Sequence, residues 1–347
     1  MRFLAIEHEL PSRHVTNAEV ISNVLQSSKQ HLSSEELQTL EALMLSCFES
    51  TGTTVRYHRA DGEEAAELAS RAGLRAIASA GLDPLDIDLI IYVGIGRGVI
   101  EPASAYIFQD MLGLRNATAF DVLDACASWV RGLQLAHLYI ESGIYRNVMI
   151  LNAEFVGRES HRYELKSLDE FLHWHPSITI GEAATATIVS ASSRPDKYEA
   201  SFRSWGEARD LCFVPLANHE GYFGKPLGIE CAPGQFVSFG LRLMEFGTRK
   251  LVEHYEDLPQ FEDFDADIVF GHSASDGMAE YVLDACGIES ERYQYGHRLF
   301  ANTISASVPL SMSTAAKSGA LKSGDKVLVL TASAGVTTAL TKFVFET

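Results

Sequence analysis

One pattern of residues occurs twice in this chain, and the two copies lie about half the chain length apart. Three separated segments repeat: Asp86 to Ile90 resembles Asp265 to Val269, Ser142-Gly143 resembles Ser318-Gly319, and Val148 to Leu151 resembles Val327 to Leu330. The first and third pairs have the same separation along the chain, and the separation of the second pair is only slightly shorter. A nearly constant separation indicates a duplicated unit, so we expect two similar halves, residues 1–192 and residues 193–347.

Each half alternates short apolar strands with amphipathic helices, which predicts an α/β fold with buried sheets. The predicted strands are Leu89 to Val93, Val148 to Asn152, Ala186 to Ser190, Asp267 to Phe270 and Val327 to Leu330. The predicted helices are Glu64 to Ala80, Cys126 to Glu141 and Gly277 to Cys286.

The composition excludes several classes of partner. The chain has 28 Lys and Arg against 46 Asp and Glu, a net charge of −18, and 46% of its residues are hydrophobic. Nucleic acid and an anionic membrane surface are therefore not expected, since both require concentrated basic residues. No apolar run reaches the roughly 18 residues that span a bilayer, and five widely spaced cysteines form neither a disulfide framework nor a zinc motif. We expect a cytoplasmic protein.

Cys126 is the first candidate for chemistry. The apolar segment Phe120 to Leu123 precedes it, and a helix rich in small residues follows. A thiol at such a strand-to-helix turn lies at a helix N-terminus, where the helix dipole is expected to lower its pKa. The alternative is an inert core cysteine. The separation of the two Ser-Gly pairs, applied to Cys126, leads to Asn302, so we expect these two segments at equivalent places in the two halves.

His272, Asn302 and Gly335 are the candidates in the second half. His272 follows the strand Asp267 to Phe270, and the carboxyl end of a buried strand is where ligands collect in α/β sheets. A histidine that caps the next helix is the alternative, and Asn302 has the alternative of a turn or N-cap residue. The segment around Gly335 follows the last predicted strand and offers backbone N–H groups for an oxyanion.

These residues, in this order, resemble the 3-oxoacyl-(acyl carrier protein) synthase III enzymes of the thiolase superfamily over essentially the whole chain. The segments that carry the resemblance are Ala119-Phe120-Asp121 through Cys126, Leu133 to Gly143, Thr179 to Ala184, His272-Ser273-Ala274, Asn302-Thr303 with Ala306 to Leu310, and Gly335.

The resemblance implies a thiolase fold, a duplicated five-layer α/β/α/β/α sandwich in a homodimer. It implies a catalytic triad of Cys126, His272 and Asn302, with the backbone N–H groups of Cys126 and Gly335 as the oxyanion hole. Cys126 would take an acyl group from a thioester, while His272 Nε2 and the Asn302 amide hold a second thioester that becomes the carbon nucleophile. Coenzyme A or acyl carrier protein thioesters are the implied substrates, with no permanently bound cofactor.

The sequence departs from the family pattern at several positions. Gly277 stands where relatives carry a basic residue, Ala301 stands where they carry glycine, and the helix Ala279 to Asp284 is acidic where theirs is basic. An acidic carrier protein would be repelled there. The enzyme is therefore expected in specialised lipid or polyketide metabolism, with carrier protein a weaker expectation than coenzyme A.

Glu101 is a further candidate, in the segment Gly98 to Tyr106. Its Glu-Pro-x-x-Ala pattern resembles that of the olefin-forming condensing enzymes, whose glutamate reaches the facing subunit's site as a base. A carboxylate against an apolar tunnel would have a raised pKa suited to removing a proton next to a thioester. The alternative is a solvated loop residue.

Two other motifs are not assigned a function. Gly94-Ile95-Gly96-Arg97-Gly98 lacks the Gly-x-Gly-x-x-Gly spacing of dinucleotide sites, and His161, His173 and His175 lack regularly spaced partners, so no metal is expected. Two alternative functions stay open: an acyltransferase acting on a hydroxyl or amine, and a silent subunit of a heteromeric synthase.

Overall fold

Two mixed β-sheets, one from each half of the chain, form the framework of the fold. The computed structural model describes residues 1–157, 163–192, 197–224, 229, 231–272 and 274–347. The first sheet takes its strands from residues 2–190 and the second from residues 199–344.

The first sheet has five strands in the order β1-β7-β6-β4-β5, with β4 parallel to both β5 and β6. Its strands are β1 (Arg2–Glu9), β4 (Leu89–Val93), β5 (Thr118–Val122), β6 (Asn147–Glu154) and β7 (Ala183–Ser190). Every residue of β4, which lies between β6 and the edge strand β5, is buried, because helices cover both faces of the sheet.

The second sheet repeats this plan with four strands in the order β11-β12-β13-β8. Its strands are β8 (Glu199–Ser204), β11 (Ile268–His272), β12 (Lys326–Ser333) and β13 (Thr337–Val344). Strands β11 and β12 are parallel, like β4 and β6, and a single bridge between Val269 and Tyr293 occupies the place that β5 has in the first sheet. Two small antiparallel sheets of two strands each pair β2 (Arg13–Thr16) with β3 (Val55–His58) and β9 (Cys212–Phe213) with β10 (Val237–Ser238).

Helices fill the layer between the sheets and cover their outer faces. The helices are α1 (Asn17–Ser28), α2 (Ser34–Thr51), α3 (Ala65–Ala80), α4 (Ser104–Met111), α5 (Ser128–Glu141), α6 (Phe171–Trp174), α7 (His219–Phe223), α8 (Gly240–Glu256), α9 (Pro259–Glu262), α10 (Asp276–Ala285), α11 (His297–Phe300) and α12 (Ser307–Ser318). The largest core joins α5 and α12 to the inner faces of both sheets.

Separate cores hold the outer layers. Helices α3 and α4 pack on the first sheet, and α8 and α10 pack on the second. The five-layer α/β/α/β/α arrangement expected from the sequence is confirmed. Among the described helices, none combines the length and the apolar character needed to cross a membrane.

The predicted elements are observed with small shifts at their ends. Strand β4 has the predicted bounds, while β6 extends by one residue at its start and two at its end. Strand β11 continues to His272, two residues past the prediction, and α5 begins at Ser128 rather than at Cys126.

Two short 3-10 turns meet where the halves join. We call residues Ala125–Ala127 the cysteine turn and residues Ile304–Ala306 the serine turn; they lead into α5 and α12 and contact each other. Both begin at a residue with positive φ, 44° at Ala125 and 55° at Ile304. In both, the first helical serine donates a hydrogen bond to the carbonyl of that residue, at 2.7 Å for Ser128 and 2.9 Å for Ser307.

This match corrects the equivalence expected from the sequence. Ala125 and Ile304 have the same separation as Val148 and Val327, the starts of the third repeated segment, so the counterpart of Cys126 is Ser305 and not Asn302. The two segments are therefore equivalent as expected, but the residue that matches Cys126 lies three positions after Asn302. The shorter separation of the Ser-Gly pairs applies only at the helix ends, because α12 is shorter than α5.

Candidate active site

Cys126 lies in the cysteine turn, between β5 and α5, so the predicted strand-to-helix turn is confirmed. Ala125 is in the left-handed region, which costs a residue with a side chain about 1 kcal/mol. The Ser128 hydroxyl offsets this cost: it accepts from the Asp124 N–H at 2.8 Å and donates to the Ala125 carbonyl. The turn is thereby held in a conformation that an isolated chain would seldom adopt.

The thiol of Cys126 is a weak acid in this structure. Burial raises its pKa above the ordinary value, and the nearby Cys212 and Glu154 raise it further. Backbone N–H groups of Cys126 and Ala334 lower the pKa without offsetting burial. The lowering expected from the helix N-terminus is therefore wrong in sign for this structure, because desolvation outweighs the dipole. A thiol of this kind needs a base when it attacks.

The end of strand β12 in the second sheet forms one wall of the site. Ser333, at the end of β12, accepts from the Ala127 N–H at 3.2 Å and donates to the Asp124 carbonyl at 3.0 Å. These bonds join the cysteine turn to the strand that leads into Ala334 and Gly335. Gly335 has φ +128°, a conformation that favours glycine. It lies in the connection between β12 and β13, next to Ala334, whose backbone N–H reaches the sulfur of Cys126.

His272 is the final residue of β11, and its Nδ1 lies 3.3 Å from Ser307 Oγ. Because the Ser307 hydroxyl donates its proton to the Ile304 carbonyl, it accepts from Nδ1–H, and Nε2 keeps the lone pair. Burial lowers the pKa of His272 to about 4, against a smaller opposing effect of the Ile304 backbone. His272 is therefore neutral near pH 7, with Nε2 able to accept a proton.

Asn302 lies immediately before the serine turn. Its Oδ1 accepts from the Ile304 N–H at 2.9 Å, so the Nδ2 amine is left to face a ligand. Its backbone is fixed to the first half by two bonds of 2.9 Å, one to the Thr179 carbonyl and one from the Gly181 N–H. Gly181 is required there, since a Cβ would lie 2.2 Å from the Phe300 carbonyl oxygen.

Glu154 is a residue that the sequence analysis missed. It ends β6, is fully buried, and its carboxylate accepts from the N–H groups of Ile95 and Gly96, at 3.2 and 2.8 Å, and from the Ser305 hydroxyl. Burial raises the pKa of this carboxyl, while those donors and the Ser305 N–H oppose the rise. The available signal was a pair of polar residues, Asn152 and Glu154, at the carboxyl end of an apolar strand.

Glu101 lies away from this cluster. It is exposed, in the loop between β4 and α4, and that loop also exposes Val99 and Ile100, the latter at 66%. The loop adjoins β5, whose Asp121 carboxylate accepts from the N–H groups of Ser104 and Ala105 at 2.8 Å each. Within one chain, the structure joins Cys126, His272 and Asn302 through the two turns and leaves Glu101 outside.

The glycine-rich segment Gly94 to Gly98, which was not assigned a function, packs against a buried side chain. Gly94 and Gly96 pack around Glu154. Across the described part of the chain, no three His, Cys, Asp or Glu side chains form a group able to hold a metal ion. His161 and Ser273 lie outside the described residues.

Comparison with known families agrees with this architecture. The family 3-oxoacyl-(acyl-carrier-protein) synthase III matches residues 120–206, and its C-terminal family matches residues 259–343. The beta-ketoacyl-(acyl-carrier-protein) synthase III of Clostridium perfringens is 28% identical over 335 residues, which cover 92% of this chain and 97% of that protein. The protein of the same name from Neisseria meningitidis serogroup B is 29% identical over 287 residues, covering 80% and 83%.

Solved structures show the same fold. The 3-oxoacyl-(acyl-carrier-protein) synthase III of Aquifex aeolicus superposes with a TM-score of 0.80 at 21% identity, covering 99% of both chains. Cerulenin-bound OleA from Xanthomonas campestris superposes with a TM-score of 0.83 at 20% identity, covering 99% of this chain and 96% of OleA. Together, the two family matches, the relatives aligned over most of the chain and the shared fold show a 3-oxoacyl-(acyl carrier protein) synthase III-like enzyme of the thiolase superfamily.

Proposed function

We propose that this condensing enzyme stores an acyl group on Cys126 and joins it to a second acyl or malonyl thioester, giving a 3-oxoacyl thioester. The single observation that carries the proposal is the meeting of the two turns. It brings Cys126 of the first half beside the segment that holds Asn302 and contacts His272 in the second.

The first half-reaction is acyl transfer to sulfur. His272 Nε2 takes the proton of Cys126 as the sulfur attacks the thioester carbonyl, and the carbon–sulfur bond of the donor breaks. The same proton passes to the departing thiolate, so His272 ends neutral. The backbone N–H groups of Cys126 and of the Ala334–Gly335 connection would stabilise the oxyanion of the tetrahedral intermediate.

The second half-reaction forms the carbon–carbon bond. With a malonyl thioester, loss of carbon dioxide leaves an enolate, whose carbon attacks acyl-Cys126 and releases the sulfur. Asn302 Nδ2 and protonated His272 Nε2 donate to the thioester oxygen of the enolate, and the His272 proton then restores the Cys126 thiol. The step consumes one proton from solvent, which His272 Nε2 takes up as the negative charge of the enolate develops beside it.

Intact-mass spectrometry of the two half-reactions tests this assignment. Cys126→Ala should form no acyl adduct with a panel of acyl thioesters, whereas Cys286→Ala, a matched loss of a half-buried thiol in the outer layer, should acylate like the wild type. Asn302→Ala should acylate normally and lose condensation by roughly 10²- to 10³-fold. An adduct that survives in Cys126→Ala would refute the proposal.

Product analysis separates the alternatives. A new ester or amide without a new carbon–carbon bond would establish acyl transfer to a hydroxyl or amine instead. A purified single-chain preparation that neither acylates nor condenses would favour a silent subunit of a heteromeric synthase.

The donor of the acyl groups is proposed to be a coenzyme A thioester in preference to a carrier protein. Helix α10 exposes Glu280 and Asp284 beside the end of β11, and this acidic face would repel an acidic carrier protein. Acylation rates with matched coenzyme A and carrier-protein donors test the preference. A pathway of specialised lipid or polyketide synthesis, a cytoplasmic location and the boundary after residue 192 stay predictions.

A homodimer is proposed from the surface around β5. This strand is the edge of the first sheet, and Ile100 and Leu123 beside it are exposed at 66% and 62%. Pairing of two such edges would bury the loop of Glu101 against a second copy, where its carboxylate could remove a proton in a condensation without decarboxylation.

Glu101→Gln tests that role. It should lower condensation of two acyl thioesters and leave acylation of Cys126 intact, with Glu141→Gln on exposed α5 surface as the matched control. Full activity with two acyl thioesters in Glu101→Gln would return Glu101 to a structural role.

A further inference from the structure

Glu154 is a fully buried carboxylate to which the proposed reaction assigns no role. Its surroundings consist of hydrogen-bond donors: the N–H groups of Ile95, Gly96 and Ser305, and the Ser305 hydroxyl. The Ser305 oxygen in turn accepts from Asn152 Nδ2 at 2.8 Å, and Asn152 Oδ1 accepts from the Thr185 hydroxyl at 2.9 Å. The donors all run toward Glu154, which makes it the terminal acceptor of a buried network.

The contact between Glu154 and Ser305 leaves no free space. A Cβ on Gly94 would lie 2.2 Å from Glu154 Oε1 and 2.7 Å from Ser305 Oγ. Glu154 therefore fixes the middle residue of the serine turn against two segments of the first half, the end of β6 and the loop after β4.

The serine turn sets the direction of two groups of the proposed site. Its first residue, Ile304, donates to Asn302 Oδ1 and so turns Nδ2 toward the ligand, and its carbonyl is held by Ser307, which contacts His272. We propose that Glu154 is a positioning residue, whose carboxylate anchors the serine turn and thereby aims Asn302 and His272 at the acyl group on Cys126. This inference rests on the proposed condensation.

Replacing Glu154 should change the pKa of Cys126 in a direction that identifies its role. Burial raises the pKa of Cys126 most, and the nearby Cys212 and, when ionised, Glu154 raise it further. The other titratable group beside Glu154 is Tyr92, on which Arg97 and Asp121 also act. Removing the charge should thus make Cys126 easier to ionise while it loosens the groups needed for condensation. A substitution that merely unsettled the fold would not move the two properties in opposite directions.

The experiment compares Glu154→Gln with the wild type in two assays. Alkylation of Cys126 by iodoacetamide, followed by peptide mass spectrometry across a series that extends to strongly alkaline pH, should show a midpoint at lower pH than in the wild type, by roughly half a unit or more. Condensation should fall by roughly 10- to 100-fold, while self-acylation stays within about threefold of the wild type.

Two further variants keep the outcome decisive. Ser305→Ala keeps the charge and removes the anchor, so condensation should fall while the alkylation midpoint stays in place. Glu182→Gln removes another fully buried carboxylate, one that bonds the Arg59 N–H at 2.6 Å, and should leave the alkylation midpoint unmoved.

The inference is overturned if Glu154→Gln leaves the alkylation midpoint unchanged or raised, or if both half-reactions fall together. The alkylation profile needs no substrate, so it tests the effect of Glu154 on Cys126 without relying on the proposed condensation. A wild type that alkylates normally and never forms acyl-Cys126 would instead overturn the proposed function.

Discussion

The cysteine turn and the serine turn have similar backbone conformations, and they differ in the side chain from the opposite half of the chain that bonds each of them. Each begins at a positive φ, each is closed by the first serine of the following helix, and each is bonded to the end of a strand from the opposite half. Ser333, from the second half, bonds the backbone of the cysteine turn, and Glu154, from the first half, bonds Ser305.

Ser333 and Glu154 have the same separation along the chain as the two turns, so the crossed pairing is also a repeat. The repeat thus supplies two turns of similar conformation, and the side chains Ser333 and Glu154 give them different surroundings. Beside the cysteine turn the partner is the hydroxyl of Ser333, whose hydrogen bonds go to the backbone of the turn. Beside the serine turn, the buried Glu154 carboxyl group accepts a hydrogen bond from Ser305 and fixes the segment that we propose aims Asn302 and His272.

The largest change in stability is expected at Gly94, which packs against Glu154 and Ser305 without free space. Gly94→Ala places a methyl group 2.2 Å from Glu154 Oε1 at a φ of +116°, which should lower the free energy of unfolding by about 3 kcal/mol or more. Urea unfolding measures it. Gly98→Ala, with nothing within 4 Å of the new methyl group, is the matched control and should stay within about 0.5 kcal/mol. Equal losses would mean that the Glu154 contact is looser than described.

A second prediction concerns pH. The pKa of His272 is lowered to about 4 by burial, while an unfolded histidine binds a proton near pH 6.5, so the contribution of His272 to stability is complete above pH 6.5 and is lost as pH falls toward 4. His272→Asn should therefore lose less stability than the wild type between pH 7 and pH 5, by roughly 1–2 kcal/mol. His8, His58 and His254, whose pKa values are also lowered to about 4, remain in both proteins. Parallel pH curves from urea unfolding would contradict the buried neutral state of His272.

The two closing serines offer a direct test of the comparison. Ser128→Ala and Ser307→Ala each remove a hydroxyl bond to a backbone carbonyl, and each should cost about 1 kcal/mol of stability. Ser307 also accepts from His272 Nδ1, so only Ser307→Ala should change the pH profile of acylation and lower its rate by about tenfold. Identical rates and profiles in the two variants would show that the contact with His272 has no kinetic role.

The smallest effect is a gain. Ala301 has φ 59° and ψ −159°, a region that is almost confined to glycine, and it precedes Asn302. Ala301→Gly should raise the free energy of unfolding by about 1 kcal/mol, measured as an upward shift of the thermal midpoint. Ala78→Gly, at an exposed helical position within α3, should instead lose roughly 0.5–1 kcal/mol. A loss in both variants would mean that the strain at Ala301 is relieved elsewhere.

The repeat in the sequence is enough to predict the duplicated sheets, because apolar strands and helix ends keep their spacing when the core is retained. Strands β4 and β6 and helix α3 lie within two residues of their predicted bounds at either end. The direction of the pKa of Cys126 is not predictable in this way. It depends on how much of the sulfur is desolvated, and that follows from packing between halves distant in the sequence.

Glu154 shows the same limit from the other side. Its partners Ile95, Gly96 and Ser305 lie on a different strand's loop and in the other half, so no local spacing connects them. By contrast, Ala301 stands out in the sequence as a departure from glycine, and the positive φ found there gives the physical reason for the family's glycine.

The single bridge between Val269 and Tyr293 has a consequence for assembly. The first sheet ends in a regular parallel strand, β5, which pairs on one side only among the described strands, whereas the second sheet has only that one bridge at the matching place. In the homodimer proposed above, two copies would extend one another's first sheets through β5, which would place a twofold axis beside the first half of each chain. The second sheet has no regular strand at the matching place, so the two halves, although built on one plan, would present different edges to a partner.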